Sequence, residues 1–218
     1  MTAIIPSCET AVSTVPEWHR ADAKGHEEFI AAHGWSPGAL NLAQGVAMQV
    51  HSPLIHAEST RLLIDLGRHP ESDDRWSQLS RSLTEDQRRR LDERQKKNYL
   101  DTLANRIRIP MMRRETTVHL SVDTADLGGA AVEIACDGRR TDELDWIDRW
   151  IAALRQVLPA DQVRSGTTGS NDLQSYLRDK FPGLMSVRLT AATSSFLENR
   201  PVRWSELRKA VLATIPRD

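Results

Sequence analysis

The sequence has little cysteine, few aromatic residues and no long apolar run, and each shortage excludes something. Two cysteines among 218 residues, Cys8 and Cys136, are too few for a disulfide framework and suit a reducing compartment. No stretch of about 18 apolar residues occurs, so no helix is expected to span a membrane. No basic segment leads into an apolar one near the start. Ala3-Ile4-Ile5 is too short for a signal peptide and reads as a strand, so a cytoplasmic location is expected. An excess of charge is missing too. With 29 basic and 30 acidic residues the formal net charge is −1, and no overall field draws the chain to nucleic acid or an anionic membrane.

Several catalytic signatures are absent. There is no GxSxG elbow, no GxGxxG and no GxxxxGK[ST], so neither an α/β-hydrolase nucleophile nor a nucleotide cradle has a motif behind it. His26-Glu27 is followed by a histidine only at position 33, three positions too late for HExxH. His26 and His33 could share a helix face, but surface histidines are the plainer reading.

What is present describes an ordinary globular chain: 39% apolar and 27% charged, long enough to bury a core without staples. One domain over 1–218 is expected. Residues 2–8 read as a buried first strand. Ser36 is placed to cap a helix with Pro37 at its first position, and Leu40, Leu42, Ala43, Val46, Ala47 and Val50 form its apolar stripe. Residues 53–58 and 61–66 are strand candidates, the second open to a helical turn. The longest helical pattern runs over 84–108. Thr84 and Gln87 have capping-box spacing, and Leu91, Tyr99, Leu103 and Ile107 share one face. Its arginines and lysines are interleaved with acids, which describes a solvated face better than a nucleic-acid stripe.

The clearest strand is 116–123, where Val118, Leu120 and Val122 alternate with His119, Ser121 and Asp123. A strand at 130–135, a helix at 143–158 bearing Trp146 and Trp150, a small-residue loop at 165–170, a helix at 171–180, a strand at 186–191 and a helix at 204–215 follow. Strands separated by helices predict a three-layer α/β/α fold with a mixed, largely parallel sheet.

For chemistry, His119, Ser121 and Asp123 on one strand face, with Glu9 at the end of another strand, form the leading constellation, because α/β folds place sites at strand ends. If that strand lay at the sheet edge, its polar face would simply be solvated. Gly166-Thr167-Thr168-Gly169-Ser170 before a helix is a weaker candidate anion cradle, and a flexible loop is the plainer reading. Cys8, without a histidine partner in view, reads as a structural thiol. Asp123 in a buried strand needs a partner or a metal to offset its desolvation. Trp146 and Trp150, at i and i+4, read as core.

In order along the chain, several segments resemble the N-formylglutamate amidohydrolase family. Ser7-Cys8-Glu9-Thr10-Ala11 with Val15-Pro16 is similar to that family's Cys-Glu-His-Ala-Gly and Val-Pro. His33-Gly34-Trp35-Ser36-Pro37-Gly38-Ala39 resembles His-Gly-Trp-Asp-Pro-Gly-Ala. Ser59-Thr60-Arg61-Leu62-Leu63-Ile64-Asp65-Leu66-Gly67-Arg68 resembles Ser-Arg-Leu-Leu-Val-Asp-Leu-Asn-Arg. Val118-His119-Leu120-Ser121-Val122-Asp123 is similar to Val-Leu-His-Leu-Ser-Val-His, and Asn171-Asp172-Leu173, Leu177-Arg178 and Phe181-Pro182 fit the tail. The resemblance implies a fold similar to zinc carboxypeptidase-like hydrolases, and zinc held by histidines and a carboxylate. It also implies a zinc-activated water attacking the amide of an N-acyl amino acid, and an arginine clamping the substrate carboxylate.

The departures fall at the chemical positions. Thr10 and Asp123 stand where the family has histidines, Gly67 stands for an asparagine, and the late strand reads Leu189-Thr190-Ala191-Ala192-Thr193 with no proton-transfer glutamate, Arg188 lying nearby. Hydroxyl or water in place of imidazole binds zinc weakly. The expectation is a degenerate member without zinc amidohydrolase activity and with no cofactor. Its cleft would bind a small carboxylate through Arg68 and Arg61, or a protein partner. Arg68 is otherwise an ion-pair partner of Asp65, and Arg61 a structural arginine. The alternative is an active hydrolase of N-acyl amino acids, with zinc or a harder divalent metal such as magnesium or manganese held by Glu9, His119 and Asp123. His119 without its partner histidine reads as a satisfied strand residue.

Overall fold

The computed structural model describes residues 2–197 and 201–217. Six strands form one sheet in the order β2-β1-β3-β6-β4-β5. They are β1 (Thr2–Cys8), β2 (Ile55–His56), β3 (Thr116–Ala125), β4 (Val132–Cys136), β5 (Val163–Thr167) and β6 (Met185–Ala192). All pairings are parallel except that of β4 with β6, so the sheet is mixed and largely parallel, as the alternation of strands and helices predicts. Pro6 lies inside β1 without a backbone donor. It is tolerated because β2 pairs only with Ser7 and Cys8, leaving β1 edge-like at position 6.

Alternation along the strands separates two cores. On one face Ile4, Val118, Leu120, Val122, Val187 and Leu189 pack under helices α2 (Ala39–Gln49), α6 (Thr141–Leu154) and α9 (Pro201–Thr214). Trp146 and Trp150 stand edge to face there, with ring centroids 5.3 Å apart, and are fully buried core as expected. On the other face Ile5 and Ile55 meet Leu103, Ile107 and Leu177 of α5 (Asp101–Met112) and α7 (Leu173–Lys180). A small satellite joins Ile30 of α1 (Glu27–His33) to Leu79 of α3 (Gln78–Arg81).

The long pattern at 84–108 is real and runs further. Helix α4 (Glu85–Gln95) opens on the Thr84–Gln87 capping box and passes through a π-helical turn, Lys96–Leu100, into α5. Its exposed arginines are taken up along the helix: Arg89 pairs with Asp86 and Glu93, and Arg90 with Asp86. Leu91, Tyr99, Leu103 and Ile107 are buried on its inner face.

Four expectations need correction. Ser36 does not cap a helix with Pro37 at its first position. Residues 36–38 make a turn in which Ser36 O accepts from Ala39 N, and Gly38, at φ 89°, is the N-cap of α2. Residues 61–63 form a turn rather than a strand, and the strand within 53–58 shrinks to Ile55–His56. The small-residue stretch at 165–170 is only half loop: Ser165, Gly166 and Thr167 belong to β5, paired in parallel with β4, and residues 168–170 follow as the loop that precedes α7. The strand of His119 is not an edge: β3 lies between β1 and β6, and His119 is fully buried. Helix α8 (Thr193–Leu197) follows β6 directly.

Candidate active site

Parallel pairing brings the polar residues of β1, β3 and β6 side by side on the α5/α7 face. Ser7 is in register with Ser121, His119 with Ser186, and Ser121 with Arg188. A row of polar side chains inside a sheet is costly unless each group is paired. Here each one finds a partner.

Glu9, just past the end of β1, is buried and accepts three hydroxyl protons. Ser7 Oγ donates to Oε1 and Ser121 Oγ to Oε2, each at 2.5 Å, and the Tyr99 hydroxyl donates to Oε1. Burial raises its carboxyl above the ordinary range. The donors Ser121, Ser7 and Tyr99 pull it back, and nearby Asp123 adds to the rise. Tyr99 comes from the π-helical turn, whose i→i+5 bonding marks a local change of pitch. Burial, and then the Glu9 charge, push the Tyr99 phenol well above its usual range, so it stays a donor.

His119 is held through both ring nitrogens, Nε2 at 2.8 Å from Ser7 Oγ and Nδ1 at 2.8 Å from Ser186 Oγ. Ser7 spends its one proton on Glu9, so it accepts from His119 Nε2–H, which leaves Nδ1 to accept from Ser186. A neutral ring fits both bonds. Burial, with help from Arg178 and Arg188, lowers its pKa to about 3. The expectation of a satisfied strand histidine is met.

Asp123 answers its desolvation with Thr10. The Thr10 hydroxyl donates to Asp123 Oδ1 at 2.6 Å, and the Thr124 N–H adds a bond of 2.8 Å to the same oxygen. Thr10 itself is placed by its carbonyl, which accepts from Ser36 N at 2.9 Å. Cys8 is fully buried in the core, and burial raises its thiol well above the usual value, so it is a structural residue and no nucleophile.

Glu9, Thr10, Ser121, Asp123 and Arg188, from the sheet strands and their ends, line a cleft of about 140 Å³ together with Arg61, Asp65, Arg68 and Asp172 from the connecting segments. Arg61 is positioned by its Nε, which donates to His33 O at 2.9 Å. Arg68 is set over the cleft by its backbone: its strand-like bridge to Asp172 is flanked by Leu173 N donating to Gly67 O at 2.9 Å and His69 N to Asn171 O at 2.7 Å. Its guanidinium lies 3.7 Å from Asp65 and 3.4 Å from Asp172. Arg68 thus lines the cleft and also lies within ion-pair distance of Asp65, the alternative expected for it. Arg188 reaches Asp172 Oδ2 at 3.0 Å and Gln174 Oε1 at 3.0 Å. Burial raises the Asp65 carboxyl, while Gly67 N–H, Arg68 and Arg61 hold it down.

Sequence reasoning named Glu9, His119, Asp123, Arg61 and Arg68. It missed Tyr99, read only as a core residue, and the Asp172–Arg188 pair. The structure brings Glu9, Asp123, Arg61 and Arg68 to the cleft and keeps His119 beneath it.

The residues do not fit a metal. Of the would-be ligands, His119 is fully buried beneath the cleft with both ring nitrogens hydrogen-bonded, Glu9 already accepts three hydroxyl donors, and Asp123 Oδ1 is taken by Thr10 and Thr124. Among the described residues no group of three or more histidine, cysteine or acidic side chains is arranged to hold an ion. His26 and His33 sit at opposite ends of α1.

No model of a known protein family matches the chain, and no curated protein matches it. Among solved structures, the gene product Atu2144 from Agrobacterium tumefaciens overlays 98% of this chain and 90% of its own, at TM-score 0.71 and 17% identity, and shares the fold. A metallo-carboxypeptidase from Burkholderia cenocepacia matches 55% of this chain and 34% of its own at TM-score 0.36 and 17% identity. The N-acetylmuramoyl-L-alanine amidase AmiC2 of Nostoc punctiforme matches 98% and 94% at TM-score 0.43 and 11% identity. Overlaps this loose carry no argument about the chain.

Proposed function

We propose that the chain is a degenerate relative of the N-formylglutamate amidohydrolases. It keeps a scaffold similar to zinc carboxypeptidase-like hydrolases and uses its cleft to bind a small carboxylate without metal chemistry. The observation that carries this reading is the 2.6 Å hydrogen bond from Thr10 to Asp123. Both residues stand where the resembling family has histidines, and they complete each other. A ligand set decayed at random would leave a part-buried carboxylate without a donor, which costs free energy. This one is replaced by a closed pair. Arg68 and Arg61 supply guanidinium donors suited to a carboxylate. Arg68 is already near Asp65 and Asp172, so a ligand carboxylate would compete with them, and modest affinity follows.

The test is metal content by mass spectrometry after dialysis and after challenge with zinc, manganese and magnesium, alongside hydrolysis of N-formylglutamate. We expect no stoichiometric ion and no hydrolysis. About one ion per chain, lost in Asp123→Ala, with metal-dependent amide cleavage, would overturn the proposal in favour of a hydrolase rewired around Glu9, His119 and Asp123.

A further inference from the structure

The lining of the cleft carries both charges. Asp172 bridges Arg68 at 3.4 Å and Arg188 at 3.0 Å, and Arg61 lines the same cleft. Asp123, in the same lining, has only neutral donors, the Thr10 hydroxyl and the Thr124 amide, both on Oδ1. Asp123 Oδ2 takes no hydrogen bond and no cation lies within ion-pair distance of it among the described residues. Asp123 also raises the Glu9 and Asp65 carboxyls, so the three acids share one field. The lining as a whole holds four carboxyl groups, those of Glu9, Asp65, Asp123 and Asp172, against three guanidinium groups.

We infer that the ligand of this cleft is a zwitterion: a compact free amino acid, its ammonium on Asp123 Oδ2 and its carboxylate on Arg61 and Arg68. The inference rests on the reading that the arginines take a carboxylate, and adds the cationic half of the ligand.

Charge decides against an N-acyl dicarboxylate. It would bring two negative charges and no positive one to a lining that already holds four carboxyl groups. A zwitterion adds no net charge and gives each pole its counterpart. Acylation would also remove the one group able to answer Asp123. Size agrees: at roughly 30 Å³ for each water-sized group, the space of about 140 Å³ holds about five such groups, the size of the smallest amino acids.

The test is calorimetric titration of the full chain, freed of metal by chelator, at low salt and neutral pH. The probes are glycine, alanine, serine and aspartate, their N-acetyl forms, which lack the ammonium, and their amides, which lack the carboxylate. At least one free amino acid should bind tenfold or more tightly than both of its derivatives. Asp123→Asn keeps the acceptor for Thr10 and Thr124 and should collapse the preference over the N-acetyl form towards one. Arg68→Gln should weaken the free and N-acetyl forms alike and leave their ratio unchanged. N-acetyl forms binding as well as the free amino acids would overturn the zwitterion while sparing the carboxylate reading. Absence of binding by every carboxylate would overturn both. Magnesium or manganese held at Asp123 and displaced by none of the amino acids would also overturn the inference.

Discussion

His119 gives the sharpest test of the buried network, because its protonation is linked to folding. In the folded chain its pKa is lowered to about 3, first by burial and then by Arg178 and Arg188. In the unfolded chain it titrates near 6.5. Below that value the unfolded chain takes up a proton that the folded chain refuses, so stability is full above pH 6.5 and falls as pH drops towards 3. At about 1.4 kcal/mol per pH unit, the two units from 6.5 to 4.5 remove roughly 2–3 kcal/mol. Glu9 acts in the opposite sense. Its folded pKa is raised above 4.5, so the folded chain protonates it first and gains stability relative to the unfolded chain as pH falls through the raised value. The total curve mixes both, and a variant separates them. In His119→Gln the amide can still donate to Ser7 and accept from Ser186, and it does not titrate. The variant should be less stable at pH 7.5 by about 1–3 kcal/mol from imperfect pairing. The gap to the parent protein should then narrow by about 2 kcal/mol on going to pH 4.5. Urea unfolding followed by tryptophan fluorescence at half-unit intervals of pH measures this, with buried Trp146 and Trp150 as reporters. Parallel curves for the two proteins across that window would refute the neutral, doubly held histidine.

Two further changes probe parts of the fold outside the cleft. Glu143 is fully buried, with Oε1 accepting from Arg178 Nε at 2.8 Å and from Ser186 N at 3.0 Å. Glu143→Gln leaves the Arg178 guanidinium buried beside a neutral amide and should cost about 3–5 kcal/mol, read as a lower urea midpoint with an unchanged slope. Gly38 sits at φ 89°, and a Cβ there would meet the Phe196 ring at 2.9 Å. Gly38→Ala should lower stability by about 1–3 kcal/mol in thermal unfolding, and an unchanged melting temperature would show that the turn at 36–38 is not needed in this form.

The legible parts of this chain are those written within one element. Alternation along 116–123 gives both the strand and its polar face, because the period-two pattern is local. The Thr84–Gln87 box gives the start of α4 for the same reason. Strand β5 escapes that logic. Its residues Ser165 and Gly166 read as loop by composition, and what makes them strand is the parallel pairing with Ile134 and Ala135 of β4, which lies outside the segment itself. Tyr99 was legible as a buried helical position but not as a donor to Glu9, since periodicity gives the face of a helix and not what lies opposite, 90 residues away. The same limit governs the site. Thr10 and Asp123, taken one at a time, each read as the loss of a ligand. Across 113 residues of sequence they are partners, the hydroxyl of one answering the carboxylate of the other. Either residue without the other would leave a polar group of the cleft lining short of this match. The pairing occupies Oδ1 and leaves Oδ2 as the carboxylate oxygen of Asp123 assigned above to a ligand.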